Sequence, residues 1–255
     1  MKKIGFALLA FSAVLSVLPA SVSALNIVVG LGYHLSDPEG GFNYKGLVPL
    51  DIKSDLKYDK YSAFTGRVKL ELPVPFLPNL YVQAMPLRFD GTGAKNIPFQ
   101  FGDQSFNANV PFTSSLKLDQ YDLALYYGLP FLRTATLDKV AIDLGFNLRM
   151  IDFKGEITQA ATGFTQSKSQ ALPVPMGYIG LRLSPIDFLS LEAELRAIGY
   201  GGNQYSDGVV KLKTKILKLG FFAAGYKFQN IKIDQNDIHA DLHFTGPLAE
   251  IGIDF

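Results

Sequence analysis

Several stretches of the chain alternate strictly between apolar and polar residues. In "VVKLKTKI", Val210, Leu212, Thr214 and Ile216 fall on one side and Lys211, Lys213 and Lys215 on the other. "LSLEAELRA" places Leu189, Leu191, Ala193, Leu195 and Ala197 opposite Ser190, Glu192, Glu194 and Arg196. "VAIDLGFNLRM" sets Val140, Ile142, Leu144, Phe146, Leu148 and Met150 against Asp143, Asn147 and Arg149, and "FTGRVKLEL" sets Phe64, Val68, Leu70 and Leu72 against Arg67, Lys69 and Glu71. A helical period would scatter these charges around an axis, so the period of two predicts strands.

The same reading along the chain predicts ten strands, at residues 25–34, 61–72, 79–90, 113–127, 138–154, 169–184, 188–200, 207–217, 218–233 and 237–255. The connections after the second, fourth, sixth and eighth are "PVPFLPN", "GLPFLRTATLD", "SPI" and a tight turn near Leu217-Lys218. Those after the first and third are long and rich in Gly, Asn and Asp. Three strands read poorly. In the third, Gln83 shares a face with Leu87 and Phe89, and Pro86 interrupts the ladder. In the fourth, Leu116 and Leu118 are out of phase with Tyr121, Leu123, Leu125 and Tyr127; in the last, Ile238, Ala240, Leu242 and Phe244 are out of phase with Ile251, Ile253 and Phe255. A bulge near Gly246-Pro247 is the expected cause of the second slip, because an inserted residue reverses the facing of every residue after it.

An apolar face on every strand needs a cover, and composition bears on which. The chain is 48% hydrophobic and only 18% charged, against about 25% charged in soluble domains, yet no apolar run after Ala24 approaches the ~20 residues of a membrane-spanning helix. Strands that show lipid every second residue have this composition. Residues 1–24 carry Lys2 and Lys3, an apolar stretch from Ile4 to Leu18, and Val22-Ser23-Ala24, the layout of a secretory signal peptide. Cysteine is absent, which excludes disulfides and thiolate metal sites, and the net charge of +1 argues against nucleic acid as a partner. The expectation is an all-β chain. Residues 25–255 form a closed antiparallel up-and-down transmembrane β-barrel of ten strands, eight being the alternative, with short turns at one end and long loops at the other.

An aromatic end preceded by alternating apolar residues, here Ile251, Ile253 and Phe255, resembles the signal by which bacterial outer-membrane barrels are recognised by their assembly machinery. More broadly, "ELPVPFLPNLYV", "LDQYDLALYYG", "AIDLGFNLR", "AAGYKF" and "GPLAEIGIDF" resemble a family of Gram-negative outer-membrane barrels of unassigned molecular role. The resemblance implies the bacterial outer membrane as location, its lipid and lipopolysaccharide as surroundings, and the barrel assembly machinery as a partner during biogenesis. It brings no catalytic residues, and it leaves the oligomeric state open.

The candidate chemistry lies on the inward face. A cation facing lipid at the midplane costs about 2–4 kcal/mol, so the strand phases put Arg67, Lys69, Arg149, Arg182, Arg196, Lys211, Lys213, Lys215 and Lys227 in the lumen with Glu71, Asp143, Glu192, Glu194, Glu250 and Asp254. A turn about Asn203-Gln204 would set Glu194 opposite Lys213 and Glu192 opposite Lys215. These charges either neutralise one another and fill a narrow bore, or line a porin-like route for passage or binding of small polar solutes. Surface recognition through residues 35–60 and 91–112 is a further class. The three histidines, His34, His239 and His243, are expected inward near the loop end, where a His–Asp pair would suit a rim hydrolase of the outer leaflet. Residues i and i+4 of a strand are about 13 Å apart, and no serine nucleophile motif accompanies them, so solvated rim positions are the simpler reading and an enzyme is not favoured. No cofactor and no metal is expected.

Overall fold

The computed structural model describes residues 25–74, 76–216, 218–235 and 237–255. The expected signal peptide lies outside the described residues. The wall runs through β1 (Asn26–Tyr44), β3 (Tyr61–Glu71), β4 (Asn79–Met85) continued by β5 (Arg88–Gly93), β8 (Phe112–Gly128), β9 (Val140–Gln159), β10 (Phe164–Ile186), β11 (Leu189–Tyr200), β12 (Asn203–Ile216), β13 (Gly220–Gln235) and β14 (Ile238–Asp254). Neighbours pair antiparallel, and β14 pairs β1 to close the ring; Phe255 adds backbone bonds to Ile27. With β4 and β5 as one interrupted strand, the barrel has the expected ten. Pro86 marks the interruption, as the missing N–H requires.

Following paired residues once round the ring from Ile27 through Leu70, Leu80, Leu125, Phe146, Gly177, Ala197, Ser206, Asn230 and His243 returns to β1 at Glu39, a stagger of 12 residues. Ten strands with that stagger tilt by about 40° and close at a backbone radius of about 10 Å. Large side chains can fill such an interior.

Each strand changes character at one level. On β8 the even residues face inward and the odd outward without interruption: Asp122, Ala124 and Tyr126 are buried below Gln120, while Phe112, Leu116 and Leu118 are buried above it. Outside, Tyr121, Leu123, Leu125 and Tyr127 are exposed, and Asp119 and Lys117 come next above. On β14, Glu250 faces inward below and Phe244, Leu242 and Ala240 face inward above; Ile251 and Ile253 face outward below, and His243, Asp241 and His239 above. On β4 and β5, Gln83 gives way to Leu87 and Phe89 on one unbroken inner face. The bulge expected at Gly246-Pro247 is absent, since β14 keeps one register with β13 from Gly220–Ile253 to Gln235–Ile238. The phase slips in the sequence are the height at which lipid ends. Below it the outer wall meets hydrocarbon and charges turn inward; above it the wall meets water and the apolar residues turn in. The outward apolar run of β9, Val140 to Met150, is about 25 Å tall at this tilt.

The upper interior is filled by the two long connections. Residues 35–44 and 91–93, expected as loop, continue β1 and β5, and the remaining segments carry β2 (Leu50–Asp51), β6 (Phe99–Phe101) and β7 (Gln104–Phe106). Asp51 accepts the N–H groups of Lys53 (3.0 Å) and Ser54 (2.6 Å), a local turn that holds its carboxyl below the usual range, chiefly through the Ser54 bond. Leu50, Ile52, Leu56 and Tyr58 then pack with Phe99, Phe101 and Phe106 against the inward Phe89, Phe112, Leu118, Ile151 and Phe244. The β6–β7 hairpin crosses the mouth: Phe101 pairs with Tyr44 of β1, Gly102 sits against Gln166 of β10, and the fully buried Gln159 of β9 holds Asn107 and Val110. β1 and β10 are diametrically opposed in the ring, so the hairpin is a roof.

At the other end, α1 (Pro130–Ala135) fills the turn between β8 and β9, with Pro130 in the first turn where its missing N–H costs nothing. Its Arg133 reaches into the lumen mouth toward Glu71 (3.3 Å) and Asp143 (3.2 Å).

Candidate functional site

The lower lumen is a layered ion-pair network. Arg149 of β9 is fully buried; it donates to both carboxylate oxygens of Asp122 on β8 (2.8 and 2.7 Å), to the Tyr205 hydroxyl (2.9 Å) and to Asp207 on β12 (3.2 Å). Arg196, also fully buried, pairs with Glu194 (3.0 Å) and lies 3.6 Å from Asp207, which Lys227 also engages. One layer down, Arg67 of β3 binds Glu250 (2.7 Å), and Lys211 binds Glu250 (3.1 Å) and Glu192 (3.4 Å). Lys69 binds Glu194 at 2.7 Å, and Lys213 binds Asp254 at 2.6 Å. Because β3 and β11 stand on opposite sides of the ring, the Lys69–Glu194 pair spans the bore. Tyr81, Tyr126 and Tyr178 surround the Lys69 ammonium, each ring centroid within 6 Å.

Arg182 lines the lower cavity with Glu71 and Asp143, and Lys215 is exposed at the terminal mouth. Among the described residues, the enclosed cations are Arg67, Lys69, Arg133, Arg149, Arg182, Arg196, Lys211, Lys213 and Lys227. The enclosed acids are Glu71, Asp122, Asp143, Glu192, Glu194, Asp207, Glu250 and Asp254, leaving one cation in excess. Among the described residues, the bore holds two cavities of about 40 Å³ each, one above and one below the Arg67–Glu194 level.

Two expectations are corrected. The β11–β12 register differs from the expected one, with Glu192 opposite Lys211 and Arg196 opposite Asp207. The cause is a two-residue turn at Gly201-Gly202, both with positive φ (57° and 86°), the backbone of a tight hairpin that glycine permits. The histidines do not converge. His34 is inward and almost wholly buried beside the upper cavity, whereas His239 and His243 face outward, beside Asp234 (2.7 Å) and Asp241 (3.1 Å), with His243 also bonded to Asn230 (2.8 Å). They lie above the lipid boundary, where the outer face is the polar one, and this reversed facing is what moved them out of the lumen. Asp122 and Asp207 were missed as lumen residues. Asp122 sits between the outward Tyr121 and Leu123, so its parity pointed inward; Asp207 lay at an expected strand end.

No protein-family model matches the chain, and no curated protein matches it. Among solved structures, the outer-membrane protease OmpT from Escherichia coli is 12% identical over 93% of this chain and 98% of its own, with a TM-score of 0.48. The translocator domain of autotransporter NalP from Neisseria meningitidis is 11% identical over 99% and 96%, with a TM-score of 0.41. Ail, the attachment invasion locus protein of Yersinia pestis, solved with the heparin analogue sucrose octasulfate, is 10% identical over 91% and 99%, with a TM-score of 0.36. Likenesses this weak bear on neither family nor function. The architecture rests on the wall itself: closed, antiparallel, ionic within and apolar without. The chain is a β-barrel of the outer-membrane type.

The network is suited to closing a bore. The Arg149 guanidinium, bonded to two carboxylates, is held in fixed geometry, and all but one of the enclosed cations are balanced by acids inside a low-dielectric interior. Removing one member leaves its partners buried and uncompensated. None of this presents a nucleophile beside a base.

Proposed function

We propose that the chain is a Gram-negative outer-membrane barrel that is closed to ions at rest and acts at its loop end, as a surface-exposed recognition or structural protein. The observation that carries this reading is the double closure of the interior. The aromatic roof and plug fill the upper half, and the bridging ion pairs fill the lower half. Passage of small polar solutes, the role expected from the charged strands, requires both to open. A rim hydrolase is not supported by histidines that face opposite sides of the wall. Lipopolysaccharide around the outer belt and the assembly machinery acting on Ile251, Ile253 and Phe255 are proposed partners; these three side chains do lie on the outer wall.

Planar-bilayer recording tests the reading. The purified barrel is expected to show no steady current. A chain in which short Gly-Ser linkers replace residues 45–60 and 94–111 is expected to stay silent, as is one with Lys69, Glu194, Arg149 and Asp207 all changed to Ala, because each leaves one closure intact. The combination of both changes is expected to conduct. Steady current through the unaltered barrel would overturn the proposal.

A further inference from the structure

The upper of the two lumen cavities has a composition that water alone does not explain. It is lined by His34, Arg67, Arg196, Lys211 and Lys227, with Glu194 and Glu250 as its acids. Both acids are already engaged, Glu194 by Lys69 and Arg196, and Glu250 by Arg67 and Lys211. Around the cavity, Nε of Arg196 and both ring nitrogens of His34 are buried without a hydrogen-bond partner, and Nη1 of Arg196 has only Asp207 at 3.6 Å, whereas Nη2 of Arg67 meets Glu250 at 2.7 Å; the unmet donors are therefore those of Arg196 and the one N–H of His34. A buried donor left unmade costs more than a bond contributes, and most buried polar groups find partners. The enclosed network also carries one cation more than it has acids among the described residues, and an unpaired charge in a low-dielectric interior is expensive.

We propose that this cavity is a built site for one small monovalent anion of halide size, held by the Arg196 guanidinium and the His34 N–H, with the charges of Arg67 and Lys227 on its flank. The anion completes the charge balance and accepts from donors that no side chain reaches. The size fits, since about 40 Å³ holds an ion or a few waters but no larger oxyanion with its own shell. The inference is independent of the role proposed for the loop end, because an internal anion stabilises the closed lumen whatever the loops bind.

Refolding the barrel from denaturant in bromide and locating bromine by anomalous scattering tests it directly. The expected result is a single bromine peak in the cavity beside Arg196 and His34. In solution, replacing chloride by gluconate at constant ionic strength is expected to lower the melting temperature by several degrees. Lys227→Met, which removes the excess charge, is expected to abolish the bromine peak and that dependence. Should Lys227→Met fail to fold, His34→Leu keeps the charge balance and is expected to weaken the halide dependence while the barrel still forms. Water alone in the cavity of the unaltered protein refolded in bromide, or a melting temperature indifferent to the anion, would overturn the proposal.

Discussion

Methionine in place of Arg149 is expected to lower the stability of the folded barrel by about 3–5 kcal/mol, the cost of breaking a buried ionic group on one side only. The side chain is fully buried, and four hydrogen bonds tie it to Asp122, Tyr205 and Asp207. Its loss leaves Asp122 without its bidentate partner. Asp207 keeps Lys227 and the more distant Arg196, so most of the damage is expected at Asp122. Denaturant titration of the barrel in micelles, monitored by its mobility shift on unheated gels, measures the change. Adding Asp122→Asn to Arg149→Met is expected to recover a large part of the loss, because the buried charge is then gone. Equal instability of the single and double variants would mean that the bonds act through shape rather than charge.

The second large effect tests the level at which the wall changes character. Leu123→Arg puts a cation on the lipid face of β8 and is expected to cost about 2–4 kcal/mol. Ser115→Arg, on the same face of the same strand above Tyr121, is expected to change stability by less than about 0.5 kcal/mol, since the wall there meets water. Leu118→Arg points the other way, into the plug among Phe89, Ile151 and Phe244, and is expected to prevent the upper core from forming. Measured by the same titration, equal costs at 115 and 123 would place lipid against the whole strand.

Much of this was legible along the chain. The clean alternation of 140–150, 189–197 and 210–216 named both the lipid face and the lumen face, because a midplane cation has only one affordable direction in a membrane. What misled was treating each strand as bathed in one solvent. Leu116 and Leu118 against Leu123 and Leu125, and Ala240, Leu242 and Phe244 against Ile251 and Ile253, looked like register errors. They are unbroken strands crossing from lipid to water, with an apolar plug behind the upper half. The misplacement of His239 and His243 came from the same assumption.

By itself the sequence determined the period of two, a count of ten strands with eight as the alternative, and the ionic character of the lumen, since these depend only on the order of side chains along each strand. Which charges meet was decided by the tertiary structure: a Gly-Gly turn set the β11–β12 register, and a stagger of 12 residues brought Lys69 across to Glu194. Whether the bore is open was decided there too. Residues 45–60 and 94–111 carry no alternation to declare their fate, and only closure of the ring creates the apolar interior that draws them in.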